Sequence, residues 1–207
     1  MADWFRKSTW TDADRDDFES RLARTRRASR AQYLRIQASH LAVAGNHKAA
    51  LDLLHRMLND YPDPVQNNMA LAQKAECLDA VGLTEQALEA FRAAIVAERT
   101  FPNVRSRVVF EFPLFVARRG LRNVFAEAIS ILDGTRDDQT FPRDRFDAAC
   151  ARCLIAAEVG DAATAKAQAE VALAAAAEGH SGFSRHPDIG LVPVHNPLLP
   201  QLRRIAG

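Results

Sequence analysis

The sequence predicts an all-α protein built as an array of helical hairpins. Gly45, Gly82, Gly120 and Gly160 recur at steps of 37, 38 and 40 residues, and each separates two apolar stretches with helical spacing. A self-similar period of this length is typical of helical repeat arrays. The chain of 207 residues is 48% hydrophobic, which is enough to bury one continuous core along such an array.

Small residues recur in phase with these glycines. The first slot lies in the helix before the glycine and holds Ala38, Ala75 and Cys153. The second slot lies five positions after the glycine and holds Ala50, Ala87 and Ala165. The third unit departs from the pattern, because Phe125 and Pro113 occupy the corresponding slots. The pattern resembles the tetratricopeptide repeat, a helix–turn–helix unit of about 34 residues. The resemblance implies a right-handed α-solenoid of about four repeats.

The resemblance divides the chain into three parts. The repeats cover about residues 31–178, as units of about 31–62, 65–99, 103–133 and 144–178. Residues 1–30 form an N-terminal segment with a capping helix, which we expect to begin after Thr11. Residues 179–207 are irregular but apolar. We expect them to pack on the last repeat or the concave face, with a short helix around 198–205, or else to be offered to a partner.

Capping patterns predict where several helices begin. Ser29–Gln32 resembles a capping box at the start of the first repeat. Pro64, Pro102 and Pro142 suit the first turn of a helix, where the missing amide costs nothing. Pro113 falls inside the expected helix over 104–119, so we expect it to kink or break that helix.

The charge and composition restrict the class of protein. The net charge of +1 gives no overall bias toward nucleic acid or an anionic membrane. No apolar run approaches the roughly 20 residues of a membrane span, and the N-terminus lacks the apolar core of a signal peptide. We therefore expect a cytoplasmic protein. Four lysines against 23 arginines, with abundant alanine, indicate a GC-rich bacterial genome.

The residues that could act in catalysis or bind a metal do not match a complete catalytic or metal-binding motif. Cys150 and Cys153 could form a redox pair or half of a zinc site, but they fall inside a predicted helix and no second cysteine pair exists. An odd count of three cysteines argues against a disulfide framework. The histidines of the C-terminal segment could bind metal with Asp188, although their spacing matches no motif. Neither a nucleophile elbow nor a phosphate-binding loop is present, so we predict no enzyme activity, metal or cofactor.

The resemblance also implies where a ligand would bind. Leading helices of such repeats line a concave groove, and one binding mode of the family holds a peptide carboxylate with basic and polar side chains. The predicted ligand-binding residues are Arg35, Ser39, Gln73, Glu76, Arg107, Phe110 and Glu111, with Gln32, Met69, Asp147 and Cys150 also on the predicted groove face. Glu111 has the wrong charge at a position where that mode uses arginine.

We therefore predict a non-enzymatic scaffold or regulator that binds a protein or peptide in the groove. The alternative is a regulator associated with nucleic acid, which would use the basic run from Arg21 to Arg35. A homodimer is a further possibility, because the open ends of the array and the apolar C-terminal segment could pair two copies.

Overall fold

The computed structural model describes residues 4–135 and 138–207, and every regular element in these ranges is helical. The α-helices are α1 (Asp12–Ala23), α2 (Arg27–Val43), α3 (His47–Asp60), α4 (Pro64–Ala80), α5 (Thr84–Thr100), α6 (Val108–Arg119), α7 (Phe125–Gly134), α8 (Pro142–Glu158), α9 (Ala162–Ala176) and α10 (Leu199–Ala206). A short 3₁₀ helix, Arg122–Val124, precedes α7. The predicted all-α class is confirmed.

The chain forms two compact units, Met1–Val108 and Val109–Gly207. In the first unit, α2 packs on α3, α3 on α4 and α4 on α5, and α2 also contacts α4. In the second unit, α8 packs on α9 and α9 on α10, with α7 against α8. Each unit is thus made of helices packed on their neighbours in the chain.

The glycine turns and the small-residue slots behave as the sequence predicts. The four repeat glycines have φ between +62° and +84°, the left-handed region that glycine enters without a side-chain clash. The six small residues of the two slots are at most 2% exposed. Their side chains lie where paired helices pack, and their small size allows the close approach.

Two predicted helix starts are wrong. α2 begins at Arg27, two residues before the predicted capping box, and its N-cap residue makes no side-chain capping bond. α6 begins at Val108, so Pro102 lies in a turn rather than in a first helical turn. Here a polar network decides the boundary, because Ser106 Oγ accepts the Val108 N–H at 3.3 Å while Glu98 accepts the Ser106 N–H at 2.6 Å. By contrast, Pro64 and Pro142 begin helices as predicted.

Pro113 does not break its helix. α6 continues through it from Val108 to Arg119. Proline removes a single amide donor here, the one that would bond to the carbonyl of residue 109, close to the helix start.

An aromatic cluster covers the N-terminal end of the first unit. Trp4 packs against Phe5, Phe18 and Tyr33 with ring centroids 5.0–5.4 Å apart, and Trp10 packs on Phe18 at 5.5 Å. Phe18 is fully buried in the core that α1 to α4 share. The segment before α1 therefore forms part of the cover that the sequence assigns to α1 alone.

The side chain of Gln37 binds the backbone of this segment. Gln37 Nε2 donates to the Lys7 carbonyl at 2.8 Å, and Gln37 Oε1 accepts the Lys7 N–H at 3.0 Å. Gln37 is 0% exposed, so both bonds are shielded from water. Lys7 Nζ also pairs with Asp14 at 3.2 Å and Asp17 at 2.9 Å on α1. One side chain of α2 thus fixes the segment that covers it.

The C-terminal segment packs on the last helix pair, one of the two predicted locations. Val192, Leu199 and Leu202 are buried in a cluster with residues of α8 and α9. The loop before α10 is bound to the start of α8, where the Arg143 N–H donates to the Gly190 carbonyl at 2.8 Å. The predicted short helix near the end is α10.

Replacing Gln37 with alanine tests the N-terminal contact. We expect Gln37→Ala to lower the free energy of unfolding by about 2–3 kcal/mol, because it removes two buried hydrogen bonds and leaves the Lys7 backbone without partners. Both tryptophans of the chain, Trp4 and Trp10, lie in the affected segment, so their emission should shift to the red. Gln32→Ala, at an exposed position of the same helix, is the control. Equal melting of the two variants would contradict this assignment.

Two glycines of the C-terminal segment provide a matched pair. Both have positive φ, but a Cβ at Gly190 would lie 2.5 Å from Phe141 Cγ, whereas one at Gly182 meets open space. We expect Gly182→Ala to cost about 1 kcal/mol from backbone strain alone. Gly190→Ala should cost about 2 kcal/mol or more and expose the segment to proteolysis. If the two variants melt alike, the loop does not press against α8.

Candidate functional site

The predicted ligand-binding residues are divided between the two units. Arg35 and Ser39 on α2, Gln73 and Glu76 on α4, and Arg107 in the turn before α6 belong to the first unit. Phe110 and Glu111, on α6, belong to the second. Within the first unit, α2 and α4 are in contact, so the structure brings the first four residues onto two neighbouring helices.

Arg35 links these two helices. Its Nε donates to Gln66 Oε1 of α4 at 2.6 Å, and Gln66 is only 8% exposed. Arg35 itself is half-buried, and burial lowers the pKa of its guanidinium. Its two terminal nitrogens have no hydrogen-bond partner within the described ranges, 4–135 and 138–207. The site therefore holds a partly desolvated cation with donor capacity to spare, which suits a carboxylate.

A polar row on α4 lies beside this arginine. Gln66 and Gln73 are seven residues apart and so lie on one face of the helix. Gln73 Oε1 is buried and accepts no hydrogen bond from any described residue. Ser39, one turn after Arg35, is half-buried, while Glu76 is exposed. The sequence analysis missed Gln66, although its seven-residue step from Gln73 was a usable signal.

Several residues predicted to line a groove are buried instead. Phe110 is 3% exposed, so its ring is not presented to solvent. Asp147 and Cys150 are 2% and 0% exposed, with Cys150 in the core between α8, α9 and α10. Asp147 accepts from Arg143 at 3.2 Å, one turn earlier on the same helix. Cys150 lies in a core cluster with Val192, Leu199 and Leu202 of the C-terminal segment.

The basic run from Arg21 to Arg35 is mostly engaged within the protein. Arg21 pairs with Asp17 at 2.7 Å, and Arg27 donates to the Asp60 carbonyl at 3.2 Å. Arg30 donates to the Ala23 carbonyl at 3.0 Å and to the Tyr61 hydroxyl at 3.3 Å. Together with the bond of Arg35 to Gln66, these contacts account for four of the six arginines. Arg21 and Arg27 nevertheless stay exposed, and Arg35 keeps its two terminal nitrogens without a partner in the described structure.

The cysteines are buried thiols without a disulfide. Burial, reinforced by Glu76, raises the pKa of the Cys77 thiol to about 11. Burial also raises the pKa values of Cys150 and Cys153, with Asp147 adding to the effect on Cys150. A thiol with a raised pKa stays protonated at neutral pH and is a poor nucleophile and metal ligand.

The remaining candidates do not assemble a metal site. Across residues 4–135 and 138–207, His, Cys, Asp and Glu do not form a group of three or more that could hold a metal ion. The histidines of the C-terminal segment, His180, His186 and His195, are exposed. In the same part of the chain, no helix has the length and apolar character needed to cross a membrane.

The fold defines the class of protein: an all-α protein made of packed adjacent helix pairs. Comparison of the chain with protein-family models, curated proteins and solved structures finds no match. Assignment of a function therefore depends on the geometry of the site.

The thiols offer a direct test of the buried environment. We expect a thiol reagent at neutral pH to label Cys77, Cys150 and Cys153 at least about a hundredfold more slowly than an exposed cysteine, because thiolate formation is suppressed. Glu89→Cys, at an exposed position of α5, supplies the fast control. All three native thiols should react once the chain is unfolded in denaturant. Rapid labelling of Cys150 in the folded protein would instead indicate a reactive site.

Proposed function

We propose that the protein is a non-enzymatic binding module that recognises a protein or peptide through the face of α2 and α4. The observation that carries this proposal is Arg35, a half-buried cation with one bond to Gln66 and two unpartnered terminal nitrogens in the described structure. A ligand carboxylate would complete its hydrogen bonding with bidentate geometry.

The finer architecture belongs to this proposal. The repeat phase, the left-handed glycines and the contact between α2 and α4 support a right-handed solenoid that resembles tetratricopeptide repeats. Three free thiols fit a reducing compartment, which supports a bacterial cytoplasmic location. The alternative, a nucleic-acid-associated regulator, has less support because the net charge of +1 gives no overall bias toward nucleic acid.

Peptide selection tests the proposal without a known partner. Random displayed peptides would be selected on the wild-type protein, and each binder would be synthesised with its acidic groups intact or converted to amides. We expect the acidic peptides to bind Arg35→Gln at least about tenfold more weakly than wild type, a loss of about 1.4 kcal/mol. The amide versions should bind the wild-type protein at least about tenfold more weakly than the acidic peptides do.

Arg24→Gln is the matched control, because Arg24 is an exposed arginine at the end of α1. It should bind the selected peptides as wild type does. Thermal melting of both variants separates loss of binding from loss of fold. Peptides that bind Arg35→Gln and Arg24→Gln equally well would contradict a role for Arg35, and a salt-dependent gel shift with nucleic acid would favour the alternative function.

A further inference from the structure

A concave region of the first unit begins one helical turn before Arg35 on α2, at Ala31. A cavity of about 570 Å³ opens between the first turns of α2 and the turn that joins α3 to α4. It is lined by Arg27, Ala28 and Ala31 on one side and by residues 60–64 on the other. This volume falls in the range of sites for small molecules.

Opposite charges line this cavity without pairing. Arg27 lies on one side and Asp60 and Asp63 on the other, and in the described part of the chain no ion pair within 4 Å joins them. Arg27 is nevertheless held in place, because Nη2 donates to the Asp60 carbonyl at 3.2 Å and its guanidinium carbon lies 5.2 Å from the centre of the Tyr61 ring. The Arg27 guanidinium and two carboxylates therefore line one cavity; one of these carboxylates, Asp63, also caps α4, because its Oδ1 accepts the Val65 N–H at 2.9 Å.

The rest of the lining is apolar. Tyr61, Pro62 and Pro64 line the cavity from the turn between α3 and α4, and Ala28 and Ala31 line it from α2. Small side chains on the helix leave room that a larger residue would fill. Tyr61 is itself fixed, since its hydroxyl accepts from Arg30 at 3.3 Å. The apolar part is thus a rigid surface beside the charged groups.

We propose that this cavity binds a small zwitterion, a free amino acid with an apolar side chain. The ligand carboxylate pairs with Arg27, the ligand ammonium pairs with Asp60 and Asp63, and the side chain packs on Tyr61 and the two prolines. Charge complementarity selects this class. A simple anion would meet the two carboxylates, a simple cation would meet Arg27, and an uncharged ligand would give neither Arg27 nor Asp60 an opposite charge.

Titration calorimetry with L-leucine and two analogues tests the proposal. Isocaproate lacks the ammonium group of leucine, and isoamylamine lacks the carboxylate. We expect leucine to bind with a dissociation constant of about 0.1–1 mM, as a ligand of this size allows. Each analogue should bind at least about tenfold more weakly, because it leaves one side of the cavity unpaired.

Variants separate this site from a nonspecific effect. Ala28→Leu fills the cavity from an exposed helix position and keeps helix propensity, so it should abolish binding without lowering the melting temperature. Asp60→Asn should weaken the binding of leucine about threefold but should not weaken the binding of isocaproate. Arg27→Gln should weaken leucine about tenfold, whereas Arg24→Gln should bind as wild type does.

Three results would overturn the proposal. No saturable heat at millimolar leucine would show that the cavity takes no amino acid. Equal affinity for leucine and isocaproate would identify an anion site instead. Leucine binding that survives Ala28→Leu would place the ligand elsewhere on the protein. A melting curve for each variant ensures that an unfolded sample is not read as lost binding.

Discussion

The structure depends on the close approach of paired helices at alanine and cysteine side chains around Gly45, Gly82 and Gly160, whereas the buried Phe125 occupies the corresponding slot after Gly120. Ala38, Ala75 and Cys153 are each 0% exposed on a leading helix, as are Ala50 and Ala87 on the helices that follow. A larger side chain at such a slot would separate the two helices and open a cavity along their whole contact. The glycine turns, the burial of the larger apolar residues and the position of Arg35 beside α4 all require this spacing.

The sequence predicted the parts of the fold that depend on local rules. Left-handed glycines, buried alanines, the capped start of α1 and the helix near the end follow from short-range patterns and were found where expected. The starts of α2 and α6 could not be predicted this way. Glu98 sets the start of α6 through a network with Ser106 and Asn68, and such a network depends on residues distant in the chain.

The candidate site shows the same limit. Helical spacing placed Arg35, Ser39, Gln73 and Glu76 on leading helices, but it could not show that Gln66 would engage Arg35. Nor could it show that Cys150 would be buried in one cluster with Leu199 and Leu202 of α10. A side-chain partner depends on how two helices pack, whereas periodicity describes each helix separately. The cavity at Tyr61 could not be predicted from the sequence for the same reason, because its lining residues come from two different elements.

The contact between Gln37 and Lys7 also has a kinetic consequence. Packing between neighbours in the chain closes short loops, and such topologies fold quickly. The Gln37–Lys7 bonds join residues 30 positions apart and depend on a preformed α2. Closing this loop yields two hydrogen bonds, the aromatic contacts and the ion pairs of Lys7 with α1, so we expect it to follow the formation of the helix pairs. We therefore expect the N-terminal segment to join the first unit late during folding and to open early in the native state.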